Sequence, residues 1–133
     1  MSTITNTRKD AFLRIAMKLD AVVTGANGIA YLLGAALVGP LLGLPAGLLV
    51  PVGVFLVGYA VAVWFIGTRP EINVKAAWGV VLVNLVWVVD SLVVAFSDFF
   101  PLTGWGVLWI VAQAVVVDAF AVLQVIGLRK ITR

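Results

Sequence analysis

The amino-acid sequence predicts an all-α, polytopic membrane protein: an antiparallel bundle of four transmembrane helices with N and C termini cytoplasmic. Three observations predict it. Of 133 residues, 63% are hydrophobic and 11% charged, and the mean hydropathy is +1.17, which leaves too little charge to cover a soluble domain of this length. Four apolar blocks are each long enough to cross roughly 30 Å of hydrocarbon at 1.5 Å per residue. Every Lys and Arg falls on one side of the topology those blocks define.

The spans are read at about Leu19–Val38, Leu44–Phe65, Lys75–Phe96 and Gly104–Leu128. Turn chemistry separates them: Gly39-Pro40 with Gly43-Leu44-Pro45, then Gly67-Thr68-Arg69-Pro70, then Ser97-Asp98 with Pro101 and Gly104. Connections this short make sequential helices antiparallel neighbours, and one domain covers residues 1–133. Residues 7–18 read as an amphipathic cytoplasmic lead-in, with Thr7 as its N-cap and Phe12, Ile15 and Leu19 on its apolar side. Asp20, Thr24 and Asn27 interrupt the first apolar block, which favours a span over a cleaved signal segment.

Orientation follows from charge. Arg8, Lys9, Arg14 and Lys18 precede the first span, Arg69 and Lys75 flank the second loop, and Arg129, Lys130 and Arg133 follow the fourth. The first and third loops hold no Lys or Arg, so the positive-inside rule places both termini in the cytoplasm of a cell whose inner (plasma) membrane holds the chain as a multi-pass protein. Aromatics agree. Trp64 and Trp78 sit near the inner interface, while Phe99, Phe100, Trp105 and Trp109 sit near the outer one.

Composition also excludes chemistry. Cysteine and histidine are both absent, which removes thiolate nucleophiles and the usual zinc, haem and proton-shuttle ligand. No HExxH, nucleophile–base pairing or phosphate loop occurs, so no enzyme, metal site or cofactor is expected. The net charge of +3 is confined to short clusters without stacking aromatics, a topology signal that speaks against nucleic acid as a partner.

The polar residues inside the spans are the informative ones. Asp20, Thr24, Asn27 and Tyr31 fall at helical steps of four, three and four, on one stripe of the first helix. By depth, Asp20 and Gln124 share an inner level. Asn27, Asn84 and Asp118 share the middle, and Tyr31, Asp90, Ser91 and Gln113 an outer level. An aspartate at a helix centre costs about 2.5–3.5 kcal/mol on insertion scales, and no basic residue lies at Asp118's depth. Asp118 is therefore expected to be a titrating centre, with Asn27 and Asn84 orienting a bound group and Asp90 as the outer acid. Asp20 is expected to pair with Lys75 or Arg129 and pin the inner helix ends. The bland reading of the amides is helix glue, each bond worth about 0.6 kcal/mol.

Helical phase adds that Gln113 and Gln124 share a face while Asp118 points well over 100° away, and that Asp90 is displaced by about 120° from Asn84 and Ser91. Two polar directions on one helix call for a second protomer or partner subunit, so a homo-oligomer is expected. Ala26, Ala30 and Gly34 form a small-residue ladder suited to close helix contact, and the second span, nearly free of polar groups, is expected to be lipid-facing or purely structural.

The segments KLDAVVTGANGIAYL at 18–32, WVVDS at 87–91 and GLRK at 127–130 resemble small four-helix integral membrane proteins of bacteria whose function is unassigned. The resemblance covers most of the chain and implies the fold, but no active-site residue. Small multidrug transporters and fluoride channels are similar in size and span count, but a buried glutamate in the first span and a phenylalanine-rich filter are both missing. The expected role is binding or passage of a small solute or proton along the polar groups. The alternatives are a non-transporting accessory or scaffold subunit, or a binder of a hydrophobic ligand such as a quinone or lipid tail, suggested by Trp87 and Tyr59.

Overall fold

The computed structural model describes residues 2–132, with side chains from Asp10 to Ile131. It is all-helical among those residues: α1 (Ser2–Leu42), α2 (Ala46–Thr68), α3 (Val74–Phe96) and α4 (Gly104–Thr132). All four helices are long and apolar enough to cross a membrane. Helix α1 is the organiser, packing along both α2 and α4, while α3 leans on α4 and barely touches α2. Paired contacts run in opposite directions along α1 and α2, from Met17–Gly67 through Gly28–Gly53 to Gly39–Leu49.

Glycines set the helix spacing. A Cβ on Gly28 would lie 2.9 Å from the Gly53 carbonyl oxygen, and one on Gly53 would lie 2.8 Å from that of Gly28. The two backbones therefore touch with nothing between them, which lets dispersion act over the whole α1–α2 seam. The Ala26–Ala30–Gly34 ladder does not serve this purpose: Ala26 and Ala30 are exposed, and the nearest group to a Cβ on Gly34 is Val38 of its own helix. Small residues permit close approach, but only the face turned to a neighbour uses it. The second span is thus a structural partner of α1.

Both ends of α1 differ from the sequence expectation. The helix is already running at Thr7, so that residue is not an N-cap, and the lead-in continues straight into the span. Its core side is Leu13, Ala16 and Met17, all buried, whereas Ile15 and Leu19 are exposed. The reason is the solvent. Against hydrocarbon the outer face is as apolar as the inner one, so hydrophobicity alone does not say which face packs. At the other end α1 runs through Pro40 to Leu42. It stops at Gly43, whose φ of 81° lets its N–H and that of Leu44 return to the Gly39 carbonyl at 2.8 and 2.9 Å. This is a left-handed glycine cap.

The two connections at that end lock together. Thr103 donates through Oγ1 to the Leu41 carbonyl at 2.7 Å, accepts from the Gly106 N–H at 3.0 Å, and its own N–H reaches Leu42 O at 3.1 Å. One residue caps the start of α4 and satisfies carbonyls at the end of α1. Asn73 caps α3 in the same way, accepting from Ala76 N–H at 3.1 Å.

At the opposite end Arg14 closes α2. Its guanidinium donates to the carbonyls of Gly67 (3.0 Å), Arg69 (2.6 Å) and Pro70 (2.9 Å), and to Asp10 Oδ2 at 3.1 Å. Orphan carbonyls at a helix C-terminus carry partial negative charge, so a fixed cation with several donors suits them. Lys18 lies 6.0 Å from the Trp64 ring and Lys130 5.4 Å from that of Phe12. The α1 start, the α2–α3 connection and the α4 end thus share one end of the molecule. The side chains of Arg8, Lys9 and Arg133 lie outside the described residues. We predict that Arg14→Ala lowers stability by about 1–2 kcal/mol in thermal unfolding in micelles, with Arg14→Lys recovering only part because an ammonium lacks the planar fork. Unchanged unfolding would mean water caps α2 equally well.

Candidate functional site

Two features meet inside the helices: a closed polar cluster and, beside it, an apolar cavity. The cluster is centred on Asp20, which is fully buried. Its Oδ1 accepts from Thr24 Oγ1 at 2.8 Å, one turn along α1. Its Oδ2 accepts from Asn84 Nδ2 of α3 at 2.9 Å and from Gln124 Nε2 of α4 at 2.8 Å. The second Asn84 hydrogen goes to Gln124 Oε1 at 3.0 Å. The Tyr59 hydroxyl of α2 lies 2.9 Å from Asn84 Oδ1 and 3.1 Å from the Val80 carbonyl, so it shares its one hydrogen between them. All four helices contribute a member. No water or lipid is needed to satisfy these groups, which is the condition for burying them in hydrocarbon.

The ion pair expected of Asp20 with Lys75 or Arg129 does not form. Its hydrogen-bond partners are neutral, because a turn of inward displacement carries it past the reach of the basic ends and into the amides of α3 and α4. The one salt bridge among the described residues joins Arg14 to Asp10.

A second polar group lies farther along. Asn27 Nδ2 donates to Gln113 Oε1 of α4 at 3.0 Å, and Trp109 Nε1 donates to the buried Tyr31 hydroxyl at 2.8 Å, which lies beside both amides. The polar stripe of α1 is therefore one edge, from Asp20 through Thr24 and Asn27 to Tyr31, and it is met mainly by α4.

Asp118 does not join Asn27 and Asn84. It is exposed on α4, while Gln113 and Gln124 meet partners on α1 and α3, on the side of α4 that helical phase separates from Asp118. Asp90 is likewise exposed beside buried Asn84 and Ser91. Depth put Asp118 level with the amides. Phase turned it the other way.

The cavity has a volume of about 510 Å³ and is lined from all four helices. One wall is aromatic. Phe55 stacks on Tyr59 (centroids 5.8 Å, planes 8° apart) and on Trp87 across the seam (6.4 Å, 14°). These rings span the gap where α2 and α3 barely touch. Asn27 and Gln113 contribute from α1 and α4, and no charged residue lines the space. Exposed Phe55 and Val83 stand at its margin, so it opens sideways toward hydrocarbon. Tyr59 and Trp87 stood out in the sequence; Phe55 did not, and Arg14 was read there only as a topology charge. The i, i+4 spacing of Phe55 and Tyr59 was the available signal for Phe55.

No protein-family model, curated protein or solved structure matches this chain.

Proposed function

We propose that this chain is a multi-pass protein of a cell's inner membrane, with N and C termini cytoplasmic, that holds a hydrophobic small molecule in the cavity between its helices. The observation that carries the reading is the cavity itself: apolar, open to hydrocarbon, within the size range of small-molecule sites, and furnished with one amide pair. The gathering of the α1 start, the α2–α3 connection and the α4 end at one end supports the orientation, since the basic residues then mark a single membrane face. Conduction of a solute or proton finds less support, because the Asp20 cluster is closed on itself and Asp118 stands apart from it.

The test is to purify the protein and analyse its organic extract by mass spectrometry beside that of Ala112→Trp. Ala112 lines the cavity and is exposed, so the added ring fills the space without entering the packed core. A neutral lipophilic compound retained by the wild type and depleted in the variant is the expected result. Equal retention, or none, would sink the binding reading.

A second reading, association with another copy or a partner subunit, is favoured by Asp118, exposed on α4, whereas Asp90 borders a space shared with Tyr31, Ser91 and Gln113. A carboxyl turned outward in a span needs a polar host, and lipid is not one. Asp118→Leu is predicted to weaken assembly about three- to thirtyfold, the equivalent of an interhelical polar contact, as measured by sedimentation in micelles. A wild type that sediments as a single chain would end this reading.

A further inference from the structure

Given that the cavity is a binding site, we propose that its ligand is a neutral, flat ring carrying a carbonyl group, of the benzoquinone type, held by the Gln113 amide and packed against the Phe55–Tyr59–Trp87 wall. Three features select this class over an acyl chain or a charged solute. First, no charged residue lines the cavity, so an ion entering it would lose its hydration without a counter-charge. Second, the α2–α3 wall is a set of near-parallel rings with planes 8° and 14° apart. Rings stacked on one another leave their edges and the ends of the row to a neighbour, where another ring packs edge-to-face or offset with gain beyond simple area burial. A flexible chain lying there would lose its own rotational freedom without that gain.

The third feature is the hydrogen-bonding capacity left over. Tyr59 and Asn84 line the cavity, but they are committed to each other, to Asp20 and to Gln124. The Asn27–Gln113 pair is not exhausted. Gln113 accepts through Oε1, which leaves an NH2 group with two hydrogens, and the adjacent Tyr31 hydroxyl takes at most one of them. A donor at an otherwise apolar site fixes the position of a ligand carbonyl. An acyl chain would leave that donor dry. The ring, the carbonyl and the lateral opening thus describe one ligand: soluble in the bilayer, uncharged, and polar at a single edge.

The protein in nanodiscs is titrated with a decyl-substituted benzoquinone and, separately, with a brominated fatty acid. Both quench tryptophan fluorescence, and Trp87 and Trp109 line the cavity. The expected result is saturable quenching by the quinone, weakened about three- to tenfold by Gln113→Leu through loss of one hydrogen bond. In the wild type, the infrared carbonyl stretch of the bound quinone should lie below that of quinone in protein-free nanodiscs, a readout that needs no variant to fold. Saturable quenching by the brominated chain, with none by the quinone, overturns the ring proposal and leaves the cavity as a binding site. Saturable quinone quenching with an unshifted carbonyl overturns the amide contact and the proposal with it. Saturation by neither probe removes both the ligand class and the cavity reading.

Discussion

Replacing Asn84 with leucine will destabilise the protein by about 2–4 kcal/mol, the largest effect expected of any single polar substitution here. Asn84 sits between Asp20, Gln124 and Tyr59, so its removal costs three hydrogen bonds and strands the buried Gln124 oxygen, while Asp20 keeps Gln124 and Tyr59 keeps the Val80 carbonyl. A stranded buried polar group costs roughly 1–3 kcal/mol. The lower part of that range applies, since interhelical hydrogen bonds in membranes average nearer 0.6 kcal/mol. Reversible unfolding in mixed micelles, followed by tryptophan fluorescence, measures it. Asp20→Asn is the informative companion. The asparagine oxygen can occupy the position that accepts from Asn84 and Gln124, while its NH2 meets the Thr24 hydroxyl, which turns to accept. That variant should stay within about 1 kcal/mol of the wild type. If it costs as much as Asn84→Leu, the cluster depends on the carboxylate charge and not on its acceptor geometry.

The second large effect belongs to backbone contact. Gly28→Ala places a methyl 2.9 Å from both the Gly53 carbonyl oxygen and the Leu56 Cβ, closer than such atoms approach in real structures. Neither obstacle is the far end of a flexible side chain, so α1 and α2 must move apart. Overpacking of this kind costs about 1–3 kcal/mol, and Gly28→Val should exceed it. Gly58→Ala makes the control, because a Cβ there meets nothing within 4 Å. It should be neutral or stabilising by up to about 1 kcal/mol, the helix-propensity gain of alanine over glycine. Equal unfolding curves for the Gly28 and Gly58 variants would show that the seam has room to spare.

The two effects differ in what they ask of the sequence. The Gly28–Gly53 contact involves residues that local reading could mark as small, but Gly25, Ala26, Ala30 and Gly34 were equally small. Which of them met α2 depended on the rotation of α1 about its axis. Hydrocarbon outside and apolar core inside make that rotation illegible from hydropathy. Polar residues carry part of the missing information, since they must find partners. Helical phase separated Gln113 and Gln124 from Asp118, and Asn84 and Ser91 from Asp90, but did not say which set turns inward: Asp118 was expected in the centre, and the amides hold that place.

Length, hydropathy and the placement of Lys and Arg determined by themselves that this chain is four apolar helices with its basic residues gathered at one end, because insertion into a bilayer is decided by transfer energies that sum along the chain. Helical periodicity likewise determined the polar stripe from Asp20 to Tyr31. Only the tertiary structure decided that Asp20 bonds to amides and not to a cation, that Arg14 closes α2, that Asp118 stands outside the cluster, and that Phe55, Tyr59 and Trp87 wall a cavity where α2 and α3 part. Each of those depends on distances between residues far apart in sequence, and so on how four helices rotate and tilt against one another to bring donors to acceptors.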